Sequence, residues 1–330
     1  MRAITAVRPG GPEVLEVLET ELAAPAAGQV RVKVVAAGVN FIDTYRRAGV
    51  YRTSFPHQVG LEGAGVVEAV GADVTGLHVG QRVAWASSES GSYAEVALVG
   101  ADKTLPVPDE LDLEVAAALP LQGMTADYLT HSTYPLGPGD VAVIYAAAGG
   151  VGGLAVQMAL AAGARVIATV GSAAKIPAVA ALGVPEADIV NLGALSDLTV
   201  ALPREILERT GARGADVVYD GIGRATFHAT LASLRPRGTA VLFGGASGQV
   251  EPLDPQELNA HGSLYLTRPK LDDYTASRAE LFERGARVLG AAGAGKLRVN
   301  VGQRFALDQA AAAHRAIESG TTQGKILLLP

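Results

Sequence analysis

Hydrophobic and polar positions alternate with a period of two in the first third of the chain. In Gln29–Ala36, Val30, Val32 and Val34 fall on one side and Arg31 and Lys33 on the other, as in a strand with one face buried. Gly65–Val70 and Gln81–Trp85 read as further strands, and Gly60, Gly63, Gly65, Gly71, Gly76 and Gly80 punctuate this stretch with turns. Residues 1–122 are therefore predicted to form a compact, mostly β domain.

Near Met124 the pattern changes. Val141–Tyr145 is an apolar strand, 151–162 a helical run, Arg165–Val170 a strand, 173–182 a helix and 187–190 a strand. The alternation continues with a helix at 198–210, the strand Asp216–Asp220, a helix at 224–234 and the strand Thr239–Phe243. Nearly continuous apolar strands separated by helices indicate a parallel sheet covered on both faces. After Ser263–Leu266 come a helix at 276–289 and the apolar run Lys325–Leu329, a tail too short to stand alone. The predicted fold class is α/β: a doubly wound parallel-sheet domain, 123–264, inserted into a mostly β domain built from 1–122 and 265–330. Two domains leave a crevice between them.

Composition narrows the chemistry. With 330 residues, 49% hydrophobic and 18% charged, the chain is globular in composition, and no apolar run approaches the length of a membrane span. Only a short apolar stretch precedes Pro9, unlike a secretory signal, so the expected location is cytoplasmic. The absence of cysteine excludes disulfides, thiolate nucleophiles and cysteine-built metal sites. Six scattered histidines lack the close spacing of a metal face, and a net charge of −6 with no basic stripe argues against nucleic acid as the main partner.

The strongest local motif is Tyr145-Ala-Ala-Ala-Gly-Gly-Val-Gly152, between a strand and a helix. A dinucleotide pyrophosphate needs a turn without side chains and a helix N-terminus with free N–H groups, which Ala148, Gly149, Gly150, Val151 and Gly152 supply. A glycine-rich turn with no ligand is the plainer alternative, and the alternating context on both sides favours the nucleotide. After the next strand the chain reads Thr169-Val-Gly-Ser-Ala-Ala-Lys175, with no acid for ribose hydroxyls. A carboxylate would repel a 2′-phosphate; Ser172 and Lys175 suit one, so NADPH is the expected cofactor. The competing view is that Ser172 only caps a helix and Lys175 is a solvated lysine.

These residues resemble the medium-chain dehydrogenase/reductase superfamily, and within it the zinc-free quinone oxidoreductase and ζ-crystallin branch. The likeness runs through Gly10-Gly-Pro-Glu-Val14, Gly38-Val-Asn-Phe-Ile-Asp-Thr-Tyr45 with Tyr51, Gly60-Leu-Glu-Gly-Ala-Gly65, the cradle with Gln157, Gly262–Pro269 and Thr322-Gln-Gly324. It implies a Rossmann domain inserted into a GroES-like catalytic domain. In zinc-dependent members a Cys stands where this chain has Asn40 and a His where it has Leu61, so no metal is expected. The resemblance also implies that Asn40, Tyr45 and Tyr51 line the pocket beside the nicotinamide and that Asp43 supports their loop. By the same resemblance Gln122 and Thr125 approach the cofactor, Gly171, Ser172 and Lys175 take the adenosine ribose and its phosphate, and Gly223, Phe243, Gly244, Gly245 and Leu266 flank the nicotinamide half. Tyr45 and Tyr51 as ordinary interface aromatics, and Phe243 as plain core, are the alternatives.

Three positions depart from the branch: Leu192 replaces a Tyr or His and Gly320 an Arg, which leaves Lys175 as the main support for a 2′-phosphate, and Leu160 replaces a basic residue, a change expected to affect only the surface. Hydride transfer to a quinone or other conjugated carbonyl needs alignment, exclusion of water and hydrogen bonds to the acceptor oxygen, which the Asn40 amide and the two tyrosine hydroxyls are expected to supply. No serine, histidine and aspartate triad or carboxylate pair stands out. The alternatives are an alkenal or enoyl reductase and a non-catalytic, crystallin-like NADPH-binding protein. A homodimer is expected by family analogy, through strands near 239–243 and 263–266.

Overall fold

The computed structural model describes residues 1–21 and 23–330. They divide into two compact units, one formed by residues 1–124 with 275–330 and the other by 125–274.

The first unit begins with β1 (Arg2–Ala6), β2 (Leu15–Glu19), β3 (Gln29–Val39), α1 (Phe41–Arg47), β4 (His57–Gln58), β5 (Glu62–Val70), β6 (Arg82–Trp85), β7 (Val96–Gly100), β8 (Leu105–Pro106) and α2 (Leu113–Ala117). α3 (Pro120–Tyr128) carries the chain into the second unit. β3 runs three residues past its predicted end, to Val39, because its last residues pair with β5. Its valines 30, 32 and 34 are buried beside Val67, Val83, Trp85 and Val99, as the alternation requires.

In the second unit β9 (Val141–Ile144), α4 (Gly150–Ala161), β10 (Arg165–Val170), α5 (Ile176–Ala180), β11 (Ile189–Asn191), α6 (Leu198–Arg209), β12 (Ala215–Asp220), α7 (Phe227–Ala232), β13 (Leu234–Leu242), α8 (Gln256–Ala260), β14 (Tyr265–Thr267) and α9 (Leu271–Tyr274) follow in turn. The strands form one six-stranded parallel sheet in the order β11-β10-β9-β12-β13-β14. The strand order reverses between β9 and β12, and ligands of doubly wound sheets bind outside the carboxyl ends at such a switch. The chain leaves this unit after Tyr274 rather than at 264, because β14 pairs in parallel with β13; it enters after Met124 rather than 122.

The chain returns with α10 (Arg278–Gly293), β15 (Val301–Ala306), α11 (Ala310–Glu318) and β16 (Lys325–Leu329). A seven-stranded sheet links β15-β16-β3-β5-β6-β8, with β7 paired to β3; β2-β1-β4 make a small second sheet. β16 pairs antiparallel with the end of β3, Ile326 opposite Val39 and Leu327 opposite Gly38, so the tail completes the first unit.

Candidate active site

The glycine turn joins β9 to α4. Ala146 holds a left-handed φ of 52°, and the Gly149 N–H donates to its carbonyl at 2.8 Å. α4 starts with Gly149 as its cap, without a capping side chain, so its first N–H groups at Gly150, Val151 and Gly152 have no helical acceptor. A Cβ on Gly152 would lie 2.8 Å from the Ala146 carbonyl carbon and 3.0 Å from Ala147 Cα, so the close turn requires glycine. Bare N–H groups at a twelve-residue helix start suit a pyrophosphate.

Because the sheet is parallel, the expected nucleotide residues that follow β10, β12 and β13 lie at the same carboxyl edge, whereas Gln122 and Thr125 lie in α3, Gln122 in the first unit. Gly171 and Ser172 follow β10, exposed, and Lys175 follows, half-buried, with burial drawing its ammonium below the ordinary lysine value. Ser172 makes no side-chain cap, contrary to the plainer alternative for it. Leu192 packs against the unit's core. After β12, the buried Asp220 carboxylate accepts the N–H groups of Ile222 and Gly223 at 2.8 and 2.9 Å and the hydroxyls of Thr226 and Thr230 at 2.9 Å. That shapes the turn in which Gly223 adopts a φ of 89°. Phe243, Gly244 and Gly245 follow β13, half-buried, so Phe243 is not plain core; Leu266, in β14, packs partly against the core. Ala148 and Val151 are half-buried in the turn, and Thr125, the first residue of this unit, is buried.

The expected acceptor-side residues lie in the first unit, around α1. Asn40 caps α1 and is 2% exposed. Its Oδ1 accepts from Lys325 Nζ at 2.7 Å and Gln122 Nε2 at 3.1 Å; its Nδ2 donates to Glu62 Oε2 at 2.9 Å and the Gly38 carbonyl at 3.2 Å. An Asn amide has two donors and two lone pairs, so all four are used. The amide hydrogens expected to reach an acceptor oxygen are thus engaged inside the protein. Lys325 and Glu62 form an ion pair, 1% and 0% exposed, and Glu62 Oε1 accepts the Leu121 N–H at 2.7 Å in the first turn of α3. Burial pushes the Lys325 ammonium below its ordinary value and Glu62 opposes that shift. A Cβ on Gly38 would stand 2.7 Å from Lys325 Cε and 2.8 Å from the Ala117 carbonyl, so β3 carries a glycine where the pair enters.

A second buried chain reaches Asn40 from the other side. Asp43 Oδ2 accepts the Asn40 N–H at 2.9 Å and the Tyr93 hydroxyl at 3.0 Å, while its Oδ1 has no partner. Desolvation pushes the Asp43 carboxyl up to about 6. With Tyr93 donating to Asp43, His314 Nε2, 3.3 Å away, must donate to the Tyr93 oxygen, and its Nδ1 accepts from Arg47 Nη1 at 2.9 Å. Burial, and then the Arg47 charge, hold this imidazole neutral, down to about 3. Arg47 itself pairs with Glu318 at 2.6 Å. Beside this wiring, Phe41, Tyr45 and Tyr51 form a partly exposed aromatic group; Tyr45 and Tyr51 meet edge to face at 5.7 Å, and Tyr51 is 40% exposed.

Sequence reasoning missed Glu62, Tyr93, Arg47, His314 and Lys325. One signal was available: Lys325 opens an otherwise apolar strand, where a lysine needs a buried partner.

Residues 26–109 match the family described as Alcohol dehydrogenase GroES-like domain, and residues 150–273 that described as Zinc-binding dehydrogenase. The chain is 43% identical over 324 residues to the quinone oxidoreductase of Salmonella typhimurium, covering 97% of each protein. It belongs to the quinone oxidoreductase branch of the medium-chain dehydrogenase/reductase superfamily. A second relative, the 2-haloacrylate reductase of Burkholderia sp, is 40% identical over 328 residues, covering 97% of this chain and 96% of that protein. The structure of Escherichia coli quinone oxidoreductase complexed with NADPH superposes with a TM-score of 0.95 at 39% identity, covering 100% of both chains. The zinc in the second family description does not fit the residues present. Leu61 offers no ligand atom, and the Asn40 oxygen already faces an ammonium. Among the described residues no group of three or more His, Cys, Asp or Glu is positioned to hold a metal.

Proposed function

We propose that the chain is a zinc-independent, NADPH-dependent quinone oxidoreductase, working in the cytoplasm on a small quinone or related conjugated carbonyl. The observation that carries this is the cradle of Ala148–Gly152, whose bare turn and uncapped helix start fit a pyrophosphate, in a chain of this family. Bound NADPH supplies the hydride. Gly171, Ser172 and Lys175 hold the adenosine ribose and its 2′-phosphate; Gly223, Phe243, Gly244, Gly245 and Leu266 flank the nicotinamide half, with Gln122 and Thr125 facing the cofactor. Tyr45 and Tyr51 present ring faces to a planar acceptor and hydroxyls to the oxygen that gains negative charge. Asn40 and Asp43 act by fixing α1, from which Tyr45 projects.

A second reading, reduction of a conjugated carbon–carbon double bond, is favoured by the likeness to 2-haloacrylate reductase. Steady-state oxidation of NADPH, with a chelator present, separates the two. Turnover of a benzoquinone exceeding that of 2-chloroacrylate or an alkenal is expected. The reverse order supports the second reading; no turnover of any acceptor despite NADPH binding supports the crystallin-like role; and activity lost to chelator and restored by zinc overturns zinc independence. We further infer a homodimer built on the free edge of β14, where Tyr265 is 64% exposed; a monomeric mass by light scattering opposes it.

A further inference from the structure

Asp220 closes β12 where the order of the parallel sheet reverses, beside the end of β9, and its buried carboxylate forms no ion pair among the described residues. Four donors fill it: the N–H groups of Ile222 and Gly223 on Oδ1, and the hydroxyls of Thr226 and Thr230 on Oδ2 at 2.9 Å. A carboxylate offers about four lone-pair sites, so none is left for a ligand and Asp220 acts through its neighbours. Thr230 carries the network to the glycine turn. Its one proton goes to the carboxylate, so at 3.2 Å its oxygen accepts from the Tyr145 hydroxyl, which burial and then the Asp220 charge keep protonated. Tyr145 directly precedes Ala146, the left-handed residue that opens the cradle, and its own N–H donates to the Tyr219 carbonyl at 3.1 Å. On the other side, the turn after β13 hangs on the one after β12. The Phe243 N–H donates to the Asp220 carbonyl at 2.9 Å and the Ser247 N–H to the Ile222 carbonyl at 2.8 Å. Three turns at one sheet edge are thus joined through Asp220, all within the second unit.

We propose that Asp220, Thr230 and Tyr145 are positioning residues that lock the cradle to the turns after β12 and β13, so that the pyrophosphate and nicotinamide ends of one dinucleotide meet a preset surface. Turns that moved independently would have to be ordered against each other at binding, at a cost in affinity that a fixed network removes. A fragment that touches neither the cradle nor these turns gains nothing from it. The inference rests on the assignment of these turns to the cofactor.

The test compares, on the whole protein, affinity for NADPH by nucleotide fluorescence with affinity for adenosine 2′-phosphate by its displacement of NADPH. The fragment has neither pyrophosphate nor nicotinamide. Tyr145→Phe leaves Asp220 its four donors and cuts only the link to the cradle. It is expected to weaken NADPH binding about fivefold, the effect of one neutral hydrogen bond, and to leave the fragment's affinity unchanged. Thr230→Val is expected to weaken NADPH at least as much, Thr230→Ser to bind as the parent does, and Tyr145→Phe with Thr230→Val to lose no more than Thr230→Val alone. Should Thr230→Val fail to fold, Tyr145→Phe decides. Unchanged NADPH affinity in Tyr145→Phe, equal losses for nucleotide and fragment, or losses that multiply in the double variant overturn the inference alone. Absence of NADPH binding by the parent protein overturns the reading of the cradle and the inference with it.

Discussion

Asp43 and His314 sit two bonds apart in one buried chain and respond to pH in opposite senses. Asp43 has a folded value of about 6 against 3.8 in the open chain, so the folded state holds the extra proton between them. Its contribution, about 3 kcal/mol, is therefore present at low pH and lost as pH rises from 4 to 6. His314, at about 3 against 6.5, binds its proton only on unfolding. Its contribution, about 5 kcal/mol, is present above pH 6.5 and lost as pH falls. Between pH 4 and 6 the two slopes oppose each other. Relative to the parent, Asp43→Asn should therefore lose stability more steeply on acidification, whereas His314→Gln should gain stability as pH falls from 6 to 4. Urea midpoints across that range read both, and parallel curves for parent and variants would contradict the assignment. None of this was legible in the sequence, because a buried histidine and a surface one look alike until α11 and α1 are seen together.

The glycine turn between β9 and α4 was legible because its signal is local: glycines between an apolar strand and a helical run. Its boundaries were less so. The helix expected at 173–182 breaks into a short 3-10 turn and α5, since Pro177 has no N–H to continue the ladder. The helix expected from 224 begins at Phe227, because Asp220 holds the preceding turn and Gly223 lies in left-handed backbone. Asn40 was singled out from the sequence with its amide expected to face the acceptor, whereas its orientation is decided by Lys325 far away in sequence. At this scale two substitutions act differently. Gly152→Ala puts a methyl against the Ala146 carbonyl and should weaken NADPH and NADH alike, by about tenfold or more if the turn must open by one hydrogen bond. Lys175→Glu should raise the Michaelis constant for NADPH far more than for NADH; equal effects would remove Lys175 from 2′-phosphate recognition.

Among the described residues, different apolar clusters underlie the two sheets. Val143, Ile167 and Val218 belong to the core of the parallel sheet, whereas Val32, Trp85 and Ile326 belong to that of the first unit. Nucleotide binding should accordingly slow hydrogen exchange at 146–153, 171–175, 221–224 and 243–245, and leave β1 and β2 unchanged. At nucleotide one hundred times its dissociation constant, the gain in stability should be about 2.7 kcal/mol. Uniform protection, or protection confined to β1 and β2, would contradict the assigned edge. This division was the most legible part of the sequence, since a change of hydrophobic period marks it; the late exit after Tyr274 was not, because the three-residue β14 is too short to show a period.

The Lys325 pair also orders events during synthesis. Asn40 and Glu62 emerge early, but the ammonium that completes their network is separated from them by 285 and 263 positions and follows the entire inserted unit. Until that last strand docks, a carboxylate meant for the interior has no counter-charge. The inserted unit, whose sheet is built entirely from one continuous segment, is free to fold first. The first unit is therefore the later of the two to be completed, because its closing segments are made only after the inserted unit has its full sequence.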